Sequence, residues 1–263
     1  MHRPRTVNAM TVDVEDWFQV SALAPWVQRE DWDALPRRVG ANTHRVLDLF
    51  AAAGVRATFF TLGWVAERHP DLVRRIVAEG HELASHGWQH VRVIHQTPDE
   101  FRADVTRTKA LLEDLGGVPV RGYRAASYSI GARNLWALEI LAETGHAYSS
   151  SIFPGSHDLY GMPGAPRFRF RPDNAPGLLE IPITTVELGT RRLPAAGGGF
   201  FRLFPYALSR ALLGRVNRAD GEAGLFYFHP WEIDPGQPRP AGVSGRARFR
   251  HYLNLGRTES RLR

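Results

Sequence analysis

An α/β fold of parallel strands joined by helical crossovers is the class this sequence predicts. Three observations carry that reading. Short apolar, β-rich runs alternate with segments of helical periodicity along the whole chain. The length, 263 residues, suits a single α/β barrel. Asp13, His86, Arg124 and His229 each fall at the end of a strand-like run, and in such folds the chemistry gathers at the carboxyl ends of the strands.

The elements follow in order. Asn8 to Val14 is a short buried strand ending in carboxylates, and Trp17 to Trp32 is an aromatic, irregular stretch with a helical turn. Asn42 is placed to cap a helix running through Ala53, with Gly54 as its stop. Arg56 to Leu62 is rich in β-formers and reads as the second strand. Pro70 opens a helix closed by Gly80, and His81 to Ser85 forms the third strand. Thr97-Pro98-Asp99-Glu100 is a capping box that starts a helix reaching Leu115. Val118 to Tyr123 is the fourth strand, Asn134 to Glu143 a helix, and His146 to Ser149 a short strand. Ser150 to Pro176 is loop, and a strand centres on Leu179-Glu180-Ile181. Gly197-Gly198-Gly199 is a permissive turn, Pro205 to Val216 a helix, and Leu225 to Phe228 the last clear strand.

Composition narrows the function classes. The formal net charge is +6, but the basic residues are nearly all Arg, Lys109 being the one lysine, and they are scattered outside the tail. Nucleic-acid binding therefore rests on charge alone and is not expected. The chain has no cysteine, which excludes disulfides, thiolate nucleophiles and Cys-ligated zinc. Met1 to Thr6 leads straight into the first strand without the apolar core of a signal peptide, and no stretch is long enough to span a membrane. A cytoplasmic protein is the expectation.

The strongest chemical signal is Ser85-His86-Gly87-Trp88-Gln89-His90. Two histidines four apart can turn their rings the same way, and neutral imidazole is a common metal ligand. Hydrolytic zinc sites use three protein ligands plus water, and the run Asp13-Val14-Glu15-Asp16 supplies carboxylates to complete such a set. Those acids repel one another unless a cation or a proton neutralises them. Arg124, at a strand end, is placed to orient a carboxylate through a bidentate pair. His81-Glu82 followed by His86 is one residue too long for a zincin helix, and no Gly-x-Ser-x-Gly elbow or phosphate loop is present.

Four of these clusters, taken together and in order, resemble the motifs of the polysaccharide deacetylase superfamily (NodB-homology, carbohydrate esterase 4-like). They are Thr11-Val12-Asp13-Val14-Glu15-Asp16-Trp17-Phe18, the His86/His90 segment, Arg124-Ala125-Ala126-Ser127-Tyr128 and Phe228-His229-Pro230-Trp231-Glu232. Gly197 to Leu203 and Arg250 to Leu255 are similar to signatures of the subgroup linked to exopolysaccharide loci of the exosortase/PEP-CTERM type. The resemblance implies a distorted, incomplete (β/α) barrel of about seven strands. It implies one domain over 1–263, with a subgroup extension from about residue 190. It also implies a metal held by His86, His90 and a carboxylate, Glu15 with Asp16 in reserve, because the usual pair of adjacent aspartates is here spread out. Zinc is the metal implied, with cobalt or manganese as alternatives.

On the same resemblance, Asp13 is the general base, Arg124 holds it, His229 is the general acid, and a backbone N–H near Tyr128 completes an oxyanion hole. Trp88, Tyr128 and Trp231 are candidates to stack on sugar rings. Two departures stand out. Ala126 replaces the usual proline, and Ser149 occupies the place of an aspartate that tunes the acid, leaving Glu232 and Asp234 as alternative partners of His229. The implied reaction is metal-dependent removal of N-acetyl groups from amino sugars of a bacterial exopolysaccharide or its precursor, with peripheral attachment to membrane polysaccharide-synthesis machinery. The rivals are a metal-independent cyclic-amide hydrolase of the same fold and a non-catalytic glycan-binding or assembly factor.

Overall fold

The computed structural model describes residues 6–158, 160–189 and 191–263. The expectation of a leader-free N-terminus rests largely on residues 1–5, which lie outside the described residues. The strands among the described residues are β1 (Ala9–Val14), β2 (Thr58–Thr61), β3 (Glu82–Ser85), β4 (Gly122–Tyr123), β5 (Tyr148–Ser149), β6 (Leu179–Glu180), β7 (Thr185–Leu188), β8 (Arg191–Pro194) and β9 (Leu225–Phe228). The helices are α1 (Val39–Ala53), α2 (Gly63–Arg68), α3 (Pro70–Ala78), α4 (Pro98–Gly116), α5 (Trp136–Glu143), α6 (Gly198–Leu203), α7 (Tyr206–Arg215), α8 (Gly245–Tyr252) and α9 (Leu255–Leu262).

Seven strands form one all-parallel sheet in the order β6-β5-β4-β3-β2-β1-β9, curled into an open half-barrel. The expected incomplete (β/α) barrel is therefore what the chain builds. Strands buried on both faces read as continuous apolar runs, as in Leu225-Phe226-Tyr227-Phe228. The register sets Val12 opposite Phe59 on one side and Phe228 on the other. Those side chains pack on Val46, Leu47 and Phe50 of α1 and on Leu72 and Ile76 of α3. A second cluster joins α4 and α5 through Phe101, Val105, Leu138 and Leu141. β7 and β8 form a separate antiparallel ribbon.

Several local expectations need correction. Asn42 does not cap α1; the helix begins at Val39, and Asn42 is buried inside it, donating to Asp234 at 3.1 Å. The cap comes from a distance: the Asp16 carboxylate accepts from the backbone N–H groups of Arg38 at 2.7 Å and Val39 at 3.0 Å. The fourth strand pairs only over Gly122–Tyr123, and the glycine run is a turn at Gly197 alone, since Gly198 already begins α6. α2, the β7–β8 ribbon, α8 and α9 are not among the elements expected from the sequence. α2 follows β2 after one residue, with too few residues to show a period, and α8 is Arg-rich with little apolar periodicity. The capping box of α4 forms as expected, with Thr97 and Glu100 each accepting from the other's backbone.

Candidate active site

Four strand ends meet at one mouth of the half-barrel. β1 brings Asp13 and then Glu15, β3 leads into His86, β4 into Arg124 and β9 into His229. The loop after β3 is tied from several sides. His86 N–H donates to the Thr61 carbonyl at 3.0 Å, continuing the sheet. Gly87 turns the chain at φ +75°, and the first N–H groups of α2, from Gly63 and Trp64, donate to the carbonyls of Gly87 and Trp88 at 2.9 and 3.0 Å. Asp104 of α4 accepts from Trp88 N–H. His90 then sits in the left-handed region at φ +53°. Such strain is tolerated where surrounding bonds over-determine the backbone. The histidine spacing thus works through a braced loop, not a helix.

Glu15, His86 and His90 offer ligand atoms that all lie within 4.8 Å of one another, and all three residues are buried. His86 Nδ1 donates to the Arg124 carbonyl at 2.8 Å, which leaves Nε2 as the free lone pair. Burial pushes the His86 imidazole down to about 4, so it is neutral near pH 7. Glu15 Oε1 accepts from the indole N–H of Trp231 at 3.1 Å. Its other oxygen, Oε2, lies 2.9 Å from His90 Nε2 yet is buried without a hydrogen bond. Burial works against ionisation of Glu15, but the imidazoles of His90, His229 and His86 outweigh it and hold the carboxyl well below the usual range. A buried, unbonded carboxylate oxygen aimed at two imidazoles is costly alone and is stabilised by a shared cation. One carboxylate and two imidazoles are a donor set that fits a divalent metal with positions open for water and substrate.

Asp13 stands beside this cluster. Its Oδ1 accepts from Arg124 Nη1 at 2.5 Å. Arg124 is fully buried, with further bonds to Thr11 Oγ1 at 2.9 Å and Ser150 Oγ at 3.1 Å, and its guanidinium carbon lies 4.0 Å from the centre of the Phe60 ring. The free oxygen, Asp13 Oδ2, lies 3.8 Å from His229 Nε2, and Glu15 Oε1 lies 3.5 Å from the same nitrogen. The opposite nitrogen, His229 Nδ1, is 2.6 Å from Glu232 Oε1. Burial opposes protonation of His229, but the carboxylates of Glu15, Glu232 and Asp13 overcome it and push the imidazole up to about 9.

The structure brings Asp13, Glu15, His86, His90, Arg124 and His229 together and leaves others out. Asp16 faces away, spent on the N-terminus of α1, so the reserve ligand is a helix cap. Asp234 pairs with Arg38 and Asn42, which leaves Glu232 as the partner of His229. Ser149 bonds to Ser151 at 2.8 Å.

The three expected sugar platforms are also corrected. Trp231 is 5% exposed, with His229 stacked at 5.1 Å and His251 at 4.3 Å on its ring, and its indole N–H is spent on Glu15. Trp88 is wedged between the Arg107 guanidinium, 3.3 Å from its ring centre, and Gly63, where even a Cβ would come within 2.4 Å of the ring. The Tyr128 ring packs on Tyr160 and Tyr227, leaving only its buried, unbonded hydroxyl as a contact. The Tyr128 N–H donates to the Ala125 carbonyl at 3.0 Å and is therefore not a free oxyanion donor. Sequence reasoning missed Thr11, Ser150, Arg202 and His251. Arg202 and His251 lie in the two C-terminal segments singled out as signatures, which was the available signal.

The chain is similar to known proteins over parts of its length. Residues 31–149 match the family model for polysaccharide deacetylase, and residues 150–263 match one described as a domain of unknown function (DUF3473). A peptidoglycan-N-acetylglucosamine deacetylase of Bacillus cereus is 35% identical over 98 residues, which cover 37% of this chain and 36% of that protein. The match thus spans about a third of that relative's length. A crystal structure of an inferred polysaccharide deacetylase from Mycobacterium smegmatis superposes with a TM-score of 0.63 at 22% identity, covering 98% of this chain and 88% of the other. The structure of PuuE allantoinase superposes with a TM-score of 0.59 at 20% identity, covering 93% and 82%. At these identities the structural likeness speaks for the fold. The likeness to polysaccharide deacetylases thus lies in residues 31–149 and in partial matches to relatives.

Among the described residues, no helix is long and apolar enough to cross a membrane.

Proposed function

We propose that this chain is a metal-dependent carbohydrate N-deacetylase acting on amino sugars of a bacterial exopolysaccharide or its precursor. The observation that carries the reading is the convergence of Glu15, His86 and His90 beside the Asp13–Arg124 pair and His229. The match to the deacetylase model over residues 31–149 and the deacetylase named among its relatives support it.

Glu15 Oε2, His86 Nε2 and His90 Nε2 would hold the metal. Zinc is the first choice, with cobalt or manganese as alternatives, and a bound ion supplies Lewis acidity and a water of lowered pKa. The protein's own groups do the rest. Arg124 fixes one oxygen of Asp13 and leaves the other to take a proton from the attacking water. His229 faces the same space through Nε2 and gives a proton to the departing amine. A groove of about 380 Å³, lined by Phe18, Gln19, Ser21 and Trp32, meets the cluster at His90 and is the proposed approach for the glycan. The same proposal treats 1–263 as one domain. It extends to the exosortase/PEP-CTERM subgroup, supported by the Gly197–Leu203 and Arg250–Leu255 segments, and to a cytoplasmic enzyme peripheral to membrane synthesis machinery.

The test is acetate release from N-acetylglucosamine oligomers by the wild type and by Asp13→Asn. The variant should keep its metal and lose turnover by about 10²- to 10⁴-fold. Normal turnover in Asp13→Asn would remove Asp13 as the base. The cyclic-amide rival has a fold relative in the allantoinase, but it gives the Glu15-His86-His90 cluster no role. Allantoin ring opening that survives chelation would favour it.

A further inference from the structure

Residues 150–263, which match a domain of unknown function, supply His229, Trp231 and Glu232 to the site and back them with a buried cation. Arg202, in α6, is 2% exposed. Its Nε donates to Glu232 Oε2 at 2.6 Å. Its Nη1 donates to the carbonyls of His251 and Leu253 at 2.8 and 2.9 Å, and its Nη2 to that of Arg250 at 3.1 Å. The guanidinium is thus locked by three carbonyls around the end of α8 and has one direction left, toward Glu232. The other oxygen of Glu232 accepts from His229 N–H at 3.1 Å and faces His229 Nδ1 at 2.6 Å. Glu232 is gripped on both sides, and His229 Nε2 is left pointing at Asp13 and Glu15.

We infer that Arg202 is a positioning residue for proton delivery: it fixes Glu232, which fixes the ring and tautomer of His229, so that Nε2–H faces the departing amine. This rests on the deacetylase reading. In the step concerned, the C–N bond of the tetrahedral adduct breaks, its electron pair goes to nitrogen, and nitrogen takes the His229 Nε2 proton. The acyl carbon leaves as acetate. An isolated carboxylate buried beside His229 would be free to rotate or to take up a proton; the Arg202 fork removes both options. Lysine has the charge but not the planar fork that serves a carboxylate and three carbonyls at once.

The inference predicts a dependence on leaving group. An amine cannot leave as an anion and needs the proton, whereas 4-nitrophenolate leaves without it. In Arg202→Lys, kcat/KM for acetate release from N-acetylglucosamine oligomers should fall by about 10²-fold or more, while 4-nitrophenyl acetate hydrolysis should change by less than about 3-fold. Metal content, read by mass spectrometry, should stay at the wild-type value. Glu232→Gln should give the same split, and carries the test if the Arg202 variant fails to fold. Equal losses on both substrates would assign Arg202 a structural role and overturn the inference, as would an undiminished amide rate. A wild type inactive on both substrates would instead overturn the deacetylase reading and the inference with it.

Discussion

At the scale of the residue, the site is an arrangement of oriented carboxylates. Glu15 and Asp16 are neighbours in sequence, and nothing in their spacing distinguishes a ligand from a cap. The structure turns Glu15 toward two imidazoles and Asp16 toward the start of α1. The His86/His90 pair was legible because both rings sit in one short segment. The helpers were not, since Trp231 reaches Glu15 across 216 residues. Trp231→Phe keeps the ring stack and removes the indole N–H. It should weaken metal binding by about 10- to 100-fold in a chelator competition; an unchanged affinity would mean that Glu15 does not need this donor. Asp104 offers a pH test. Burial pushes its carboxyl up to about 6, against the opposing bond from Trp88 N–H and the nearby Arg107. An unfolded aspartate titrates near 4, so the stability tied to this proton is present below about pH 4 and lost as pH rises through about 6. Asp104→Asn stays neutral and keeps an acceptor for Trp88. Its stability relative to wild type should rise by about 1–2 kcal/mol between pH 4 and pH 7, measured by urea unfolding. Parallel profiles would contradict this.

At the scale of the element, what could be read from the sequence follows the strength of the local signal. β1, β2, β3 and β9 are apolar runs with polar ends, and α4 carries its own capping box, so all five are visible in the sequence. The start of α1 is not, because its cap arrives from the β1 loop. The short helices α6 and α8 are held by tertiary bonds such as those of Arg202, while α9 is amphipathic but only eight residues long, too short for its period to stand out. Gly197 shows what the glycine run is for. It sits at φ +101°, and a Cβ there would come within 1.9 Å of the Tyr227 carbonyl oxygen on β9. Gly197→Ala should therefore cost more than about 3 kcal/mol or fail to fold. Gly164→Ala, with nothing within 4 Å, should stay within about 0.5 kcal/mol of wild type. Equal stability of the two variants in urea would refute the close approach.

At the scale of the whole molecule, a parallel half-barrel gathers groups far apart in sequence, from Asp13 to His229, at one mouth. The alternation of strands and helices foretells that convergence in outline. The closure of β9 against β1, and the bracing of His229 by Arg202 through Glu232, depend on contacts that no local pattern encodes. If the Glu15-His86-His90 cluster is a working metal site, turnover follows the metal. Acetate release from N-acetylglucosamine oligomers is followed with the protein as purified, after exhaustive chelation, and after zinc is added back. The account predicts activity, its loss, and its return, with one metal per chain restored and neither binding nor recovery in His86→Ala. Turnover that persists after the metal has been removed would contradict it.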